Sequence, residues 1–316
     1  MKRTEGRFKE LTILDGATGT EIAARGVNLQ AKRTWSADAN IEFPNLVKDI
    51  HRDYIQAGAK VITTNTFSTS RNTLSLDGLA EQTEEINRLS AKLAMDARKD
   101  CDAEETVLVA GSIAAFEPFK GYSDTMPSYE NALEDYREQA NILAEAGVDL
   151  IILEMFFRTV DLRAAVAAAA ETNLPIWVGL SCERHDGEIV LGLTEFMDRH
   201  GEETIRDGVV ASASPSVEAI CIMHSPPHVT ADALRELKTH TSLPIGAYAH
   251  GGRFDTEKGT AREKPQAGWT AGTDAETYLE YVREWIACGA TIIGGCCGTT
   301  PEHIRLISNS YRDFTV

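Results

Sequence analysis

The sequence predicts a (β/α)8 TIM barrel, and three observations carry that expectation. Eight short apolar runs, many rich in β-branched residues, recur along the 316 residues. Amphipathic helical stretches separate most of them. No Ser/Pro-rich linker or break in composition divides the chain, so residues 1–316 read as one barrel domain. A doubly wound open sheet is the structural alternative. Such a sheet usually carries a GxGxxG loop after its first strand, and DGATGTE at residues 15–21 lacks that spacing.

The eight runs are LTILDG (11–16), KVITTNTF (60–67), TVLVAGSI (106–113), DLIILEMF (149–156), PIWVGLSC (175–182), EAICIMHS (218–225), PIGAYAHG (244–251) and TIIGGCCG (291–298). Several are apolar throughout, as parallel strands covered on both faces are. Between them, PNLVKDIHRDYIQA (44–57) places Leu46, Val47, Ile50, Tyr54 and Ile55 on one helical face, with Pro44 at its start. Residues 128–146 repeat the pattern, and Gly147 supplies a C-terminal stop. Alanine-rich residues 160–171, and residues 231–240 and 274–287, complete the helical set, while 183–217 fits no clear pattern.

A hydrophobic fraction of 43% is ample for a large core. The formal net charge of −17 repels phosphate backbones and anionic lipid, which argues against nucleic-acid and membrane-surface roles. No apolar run reaches the ~18 residues of a membrane span. The charged opening MKRTEGRFKELTILDG has no signal-like apolar core, so a cytoplasmic protein is expected. The six cysteines are Cys101, Cys182, Cys221, Cys288, Cys296 and Cys297. In a reducing compartment, clustered cysteines bind metal or do chemistry more often than they form disulfides. Cys101, Cys182 and Cys288 are scattered and read as small apolar residues.

Barrel chemistry sits at the C-terminal ends of the strands. There the runs deliver Asp15-Gly16, Thr63 to Phe67, Glu154, His224, Tyr248 and His250, and Cys296-Cys297. Neighbours on a regular strand point to opposite faces, so Cys296 and Cys297 cannot ligate one ion from regular β structure. The flanking glycines would let the backbone bend and turn both sulfurs inward. Zinc suits two thiolates, and a catalytic zinc site takes three protein ligands with one open position. Buried thiols or a redox-active vicinal disulfide remain alternatives for the pair. Asp15 and Glu154 could equally be structural carboxylates. Thr299, Thr300, Pro301 and Glu302 read as a helix N-cap, an early proline and an early acid.

The segment GGCCGTTPEHI (294–304) resembles the zinc-binding signature of the homocysteine S-methyltransferase family. LDGATGTEIAARG (14–26), HRDYIQAGAKVITTNTFSTS (51–70) and AGVDLIILEMF (146–156) are similar to further motifs of that family, in the right order. The resemblance implies a zinc barrel that methylates the thiol of homocysteine to give methionine. It implies Cys296 and Cys297 as zinc ligands, and Asp15 and Glu154 as partners of the substrate ammonium. The backbone around Gly16, with Thr64 to Phe67, would hold the substrate carboxylate. A zwitterion needs such anions for its amine and N–H donors for its acid group. Its thiol, with a free pKa near ~8.5, needs a metal to be thiolate at neutral pH.

One departure matters. Where the family has a third ligating cysteine before a proline, this chain reads ICIMHSPP (220–227), which puts His224 at that position. His224, Cys296 and Cys297 are therefore the expected metal ligands, since imidazole serves zinc well. Cys221 is the rival ligand, disfavoured because strand alternation sets it opposite His224. Loss of the metal site is a third outcome. Exchanging a thiolate for a neutral imidazole makes the centre less negative, leaving the substrate sulfur a weaker nucleophile. A reactive sulfonium donor, S-methylmethionine-like, is therefore expected over a quaternary ammonium such as betaine. YAHGG (248–252) departs from relatives that tend to carry an Asn-containing segment. Trp35 and Phe67 are candidates to flank a cationic donor. The other functional classes are methylation of a different thiol or selenol, and a zinc-free binding barrel. The partners expected are homocysteine and a small methyl donor, with a homo-oligomer left open.

Overall fold

The computed structural model describes residues 11–29, 34–115, 128–192, 202–251, 253–254, 269–270 and 273–311. The charged opening residues 1–10, part of the unassigned stretch (193–201), and Gly252 lie outside them. Eight parallel strands form one sheet: β1 (Thr12–Ile13), β2 (Val61–Thr63), β3 (Leu108–Ala114), β4 (Leu150–Phe156), β5 (Ile176–Leu180), β6 (Val217–Met223), β7 (Ile245–Tyr248) and β8 (Ala290–Ile293). Their spatial order is β1-β8-β7-β6-β5-β4-β3-β2. The circle closes between the two ends. Leu14 bridges Val61, Lys60 N–H donates to the Ile13 carbonyl at 2.7 Å, and Asp15 N–H donates to the Val61 carbonyl at 3.0 Å. This is the expected (β/α)8 TIM barrel.

The strands are shorter than the apolar runs because only the barrel wall is laddered. Every residue of β3, β4 and β5 is buried, as a sheet lined inside and covered by helices requires. Interior space is shared between large and small side chains. A Cβ on Gly179 would lie 2.5 Å from the Tyr248 hydroxyl and 2.7 Å from Met223 Cγ. One on Gly246 would lie 2.6 Å from Cys221 Sγ. The glycines in β5 and β7 thus give their volume to neighbouring strands.

Eight helices pack outside: α1 (Pro44–Ala57), α2 (Thr83–Asp100), α3 (Tyr129–Ala146), α4 (Thr159–Ala170), α5 (Ile205–Ala211), α6 (Pro227–His240), α7 (Ala275–Ala287) and α8 (Pro301–Tyr311). Helix α1 coincides with its predicted span. Ser128 caps α3 by accepting from Asn131 N–H, and Gly147 ends it with φ 95°. Asp274 caps α7 in the same way through Thr277 N–H. After β5, where the pattern failed, the chain makes a hairpin of Cys182–His185 and Glu188–Leu191. Its turn is Asp186-Gly187, both at positive φ (49° and 91°), the geometry that favours an Asp-Gly pair. One further expectation needs narrowing. Thr299 does not cap α8: its hydroxyl donates to the Cys296 carbonyl at 2.7 Å and accepts from Ala17 N–H. The cap contact is instead Thr300 N–H to His303 Nδ1 at 3.2 Å.

Candidate active site

The C-terminal ends of the strands converge on a cavity of about 130 Å³. Asp15, Gly16, Trp35, Thr64, Phe67, Glu154, Tyr248, His224, Cys296 and Cys297 all line it. Room of this order suits a small molecule and not a polymer.

Two carboxylates line the cavity. Asp15 follows β1 and is held by β2: its carboxylate accepts from Thr63 N–H at 2.7 Å and from the Thr63 hydroxyl at 3.1 Å. Glu154 accepts from the Ser112 hydroxyl of β3. Directly after it, Met155 has φ 61°, the register of β4 with β5 shifts between Leu153 and Phe156, and Met155 N–H points at Met223 Sδ. A bulge beside a functional group re-aims a side chain, and this one sets Glu154 toward the cavity. Burial raises the Asp15 pKa well above the usual carboxylate range, against the Thr63 N–H and with the Glu154 charge adding to it. Burial likewise pushes Glu154 up to about 7, with the Cys296 charge adding and the Ser112 hydroxyl opposing. Two buried acids with no cation between them among the described residues are poised for a cationic ligand group.

The second group in the cavity is a cluster of sulfur and imidazole. The ligand atoms of His224, His250, Cys296 and Cys297 all fall within 4.8 Å of one another, an arrangement that could hold a metal ion. His224 Nδ1 is 3.4 Å from Cys296 Sγ and 3.7 Å from Cys297 Sγ, and the two sulfurs are 3.9 Å apart. Contact with the Cys297 thiol lowers the Cys296 pKa well below its ordinary value; His224 and His250 add to this, and burial opposes it.

The local backbone explains how the sequence reaches this cluster. Strand β8 stops at Ile293, and Thr299 N–H closes a turn onto the Cys296 carbonyl at 3.0 Å, with Gly298 at φ 82°. The cysteines therefore leave strand alternation before both sulfurs face one side. The left-handed backbone belongs to Gly298; the preceding glycines serve close packing. A Cβ on Gly294 would lie 2.7 Å from Leu14 Cβ, and one on Gly295 would lie 2.3 Å from Thr299 Oγ1. His224 takes φ 44°, a conformation that strains a non-glycine residue, just past the end of β6. Alternation within β6 thus does not extend to it. Cys221, inside β6, is 1% exposed and is absent from the cavity lining.

Thr64 lines the cavity with its donors already committed. Its N–H goes to the Ala110 carbonyl at 2.9 Å. Ser112 N–H donates to the Thr64 hydroxyl, and the Thr66 hydroxyl donates to the Ser112 carbonyl. The 2.6 Å contact between Thr64 and Thr66 is then donated by Thr64. The loop bearing Phe67 is tied to the one bearing Trp35 through Asn65: Ser36 Oγ donates to Asn65 Oδ1 at 2.7 Å, and Asn65 Nδ2 donates back to the Ser36 carbonyl at 2.8 Å. Trp35, at φ 53°, packs so closely that a Cβ on Gly19 would lie 2.3 Å from its indole nitrogen. Sequence reasoning left His250 out of the ligand set, although the same strand-end rule that singled out His224 applies to it. It named Thr63 only as a strand-end residue and missed Ser112; the hydrogen bonds both make to the carboxylates depend on neighbouring strands.

Comparison with known proteins agrees with this architecture. The family model described as homocysteine S-methyltransferase matches residues 12–311. Homocysteine S-methyltransferase 3 of Zea mays is 30% identical, over 93% of this chain and 88% of its own. Homocysteine S-methyltransferase of Escherichia coli is 30% identical, over 95% and 94%. The crystal structure of the homocysteine methyltransferase MmuM from Escherichia coli, in its metallated form, superposes with a TM-score of 0.76 at 28% identity, covering 95% of this chain and 96% of that one. With barrel, cavity and family model in agreement over nearly the whole chain, this protein belongs to the homocysteine S-methyltransferase family.

Proposed function

We propose that this chain is a zinc-dependent methyltransferase that moves a methyl group from a sulfonium donor, S-methylmethionine-like, to the thiol of homocysteine, giving methionine. The observation that carries the reading is the cavity itself, which brings two buried carboxylates and a sulfur–imidazole cluster to one place. His224, Cys296 and Cys297 would hold the zinc. In a tetrahedral zinc centre, ligand sulfurs stand about 3.8 Å apart and sulfur and nitrogen about 3.6 Å apart, from bond lengths of about 2.3 and 2.05 Å. The spacings of 3.9, 3.4 and 3.7 Å fit those edges. When bound, zinc lowers the pKa of a substrate thiol so that the thiolate, the nucleophile, is present at neutral pH.

The remaining steps belong to the protein. Asp15 and Glu154 receive the substrate ammonium, whose positive charge favours their ionised forms in a buried site. Backbone around Gly16 and the segment from Thr64 to Phe67 borders the substrate carboxylate. Since the Thr64 donors are engaged, Thr64 contributes by shaping this wall. Trp35 and Phe67 offer ring faces to the sulfonium. Held in line, the homocysteine sulfur forms a new bond to the methyl carbon as the donor's sulfur–methyl bond breaks; that electron pair stays on the departing thioether. An acidic chain with six free cysteines fits a cytoplasmic, reducing setting.

The test joins metal analysis to donor screening. Protein with close to one equivalent of zinc should yield methionine from homocysteine and S-methylmethionine, faster than with betaine. Absence of methionine from zinc-reconstituted protein with every sulfonium offered would refute the proposal. A second acceptor class is favoured by the imidazoles in the cluster and by a selenocysteine methyltransferase of Astragalus bisulcatus at 28% identity. Competition between homocysteine and selenocysteine in the same assay separates the two.

A further inference from the structure

Four residues, not three, bring ligand atoms to the cluster. We infer that His250 is a fourth protein ligand of the substrate-free metal centre, making it a closed His2Cys2 site; this rests on the zinc reading above. His250 is 2% exposed and stacks edge-on to His224, with ring centroids 4.2 Å apart and planes at 75°. Its ligand nitrogen lies within 4.8 Å of the ligand atoms of His224, Cys296 and Cys297.

The backbone holds it there. His250 N–H donates to the Ser225 carbonyl at 3.2 Å, immediately after His224, and Gly251 N–H donates to the Cys297 carbonyl at 2.9 Å. The residue is thus fastened on both sides to the segments that carry the other ligands. Its position differs from theirs in one respect. His224, Cys296 and Cys297 line the cavity, whereas His250 does not. It can complete the resting coordination from outside the cavity and give up its position when the substrate thiol binds. Two thiolates, two neutral imidazoles and a divalent ion carry no net charge, which suits a buried site better than an uncompensated ion.

Cobalt(II) is the probe, because its visible absorption reports ligand number and sulfur count whether or not turnover occurs. Wild-type protein loaded with cobalt should show the strong bands of a four-coordinate centre before any thiol is added. His250→Ala should weaken those bands and loosen metal binding by roughly tenfold or more, the scale seen even for outer-shell changes. His250→Cys should restore tight binding and add sulfur-to-metal absorption, which shows that the alanine effect is not misfolding. Equal affinity and an unchanged cobalt spectrum in His250→Ala would overturn this inference and leave the zinc reading standing. Wild-type protein that takes up neither zinc nor cobalt would overturn both.

Discussion

At the scale of single residues, the question is which side chains hold the metal and which hold the amino acid. His224→Ala is expected to release most of the bound zinc, while Cys221→Ala retains it, because the Cys221 thiol is enclosed in the barrel wall and burial holds its pKa far above the normal range. Zinc content after dialysis decides between them; the reverse pattern would move the ligand to Cys221. Glu154→Gln should raise the KM for homocysteine by roughly tenfold or more, the worth of one charge-assisted hydrogen bond. Steady-state kinetics at fixed donor checks this, and an unchanged KM would remove Glu154 from the ammonium site. The cysteine pair, both carboxylates and His224 were legible in the sequence because they stand at the ends of strands. The path by which the sulfurs meet was not. The flanking glycines invited a bend without saying which would make it; it lies at Gly298, while Gly294 and Gly295 are glycine for lack of room.

At the scale of elements, helix ends and apolar runs predicted the layout well, since caps and periodicity are local properties. Gly147 closes α3 at φ 95°, so Gly147→Ala should cost roughly 1–2 kcal/mol through backbone strain. Ser128→Ala at the other end should cost about 1 kcal/mol by removing the cap to Asn131 N–H. Denaturant titration of the two variants measures both, and a stable Gly147→Ala protein would show that this terminus tolerates the strain. The hairpin after β5 went unread although Asp186-Gly187 advertises it, because attention to helix periodicity passed over a period-2 segment. Strand lengths were overestimated for a different reason. Runs such as 60–67 continue beyond their hydrogen-bonded ladder, and Thr64, Asn65 and Phe67 form part of the cavity wall.

At the scale of the whole molecule, closure of the barrel was foreseeable from eight repeated units, whereas the pairing of distant groups was not. His51 illustrates this. It sits on α1, is fully buried, and both ring nitrogens lack a hydrogen-bond partner among the described residues. Burial lowers its pKa from 6.5 to about 4. A histidine kept neutral in the fold but free to protonate when unfolded takes up more protons in the unfolded state between those values. Its contribution to stability is therefore fully present above about pH 6.5 and is lost as pH falls toward 4. His51→Leu should flatten the fall in Tm across that window; a wild-type and variant difference that does not vary with pH would contradict the assignment. The ligand cluster follows the same logic of assembly from afar. Its members come from the ends of β6, β7 and β8, three strands adjacent in the sheet, and two of the four arrive only with the last. On the proposed reading, a ribosome-bound chain has no complete set of ligands until β8 and the cysteines after it have been made. Loading would then follow the arrival of β8, and a barrel lacking that strand would be spared premature metal capture.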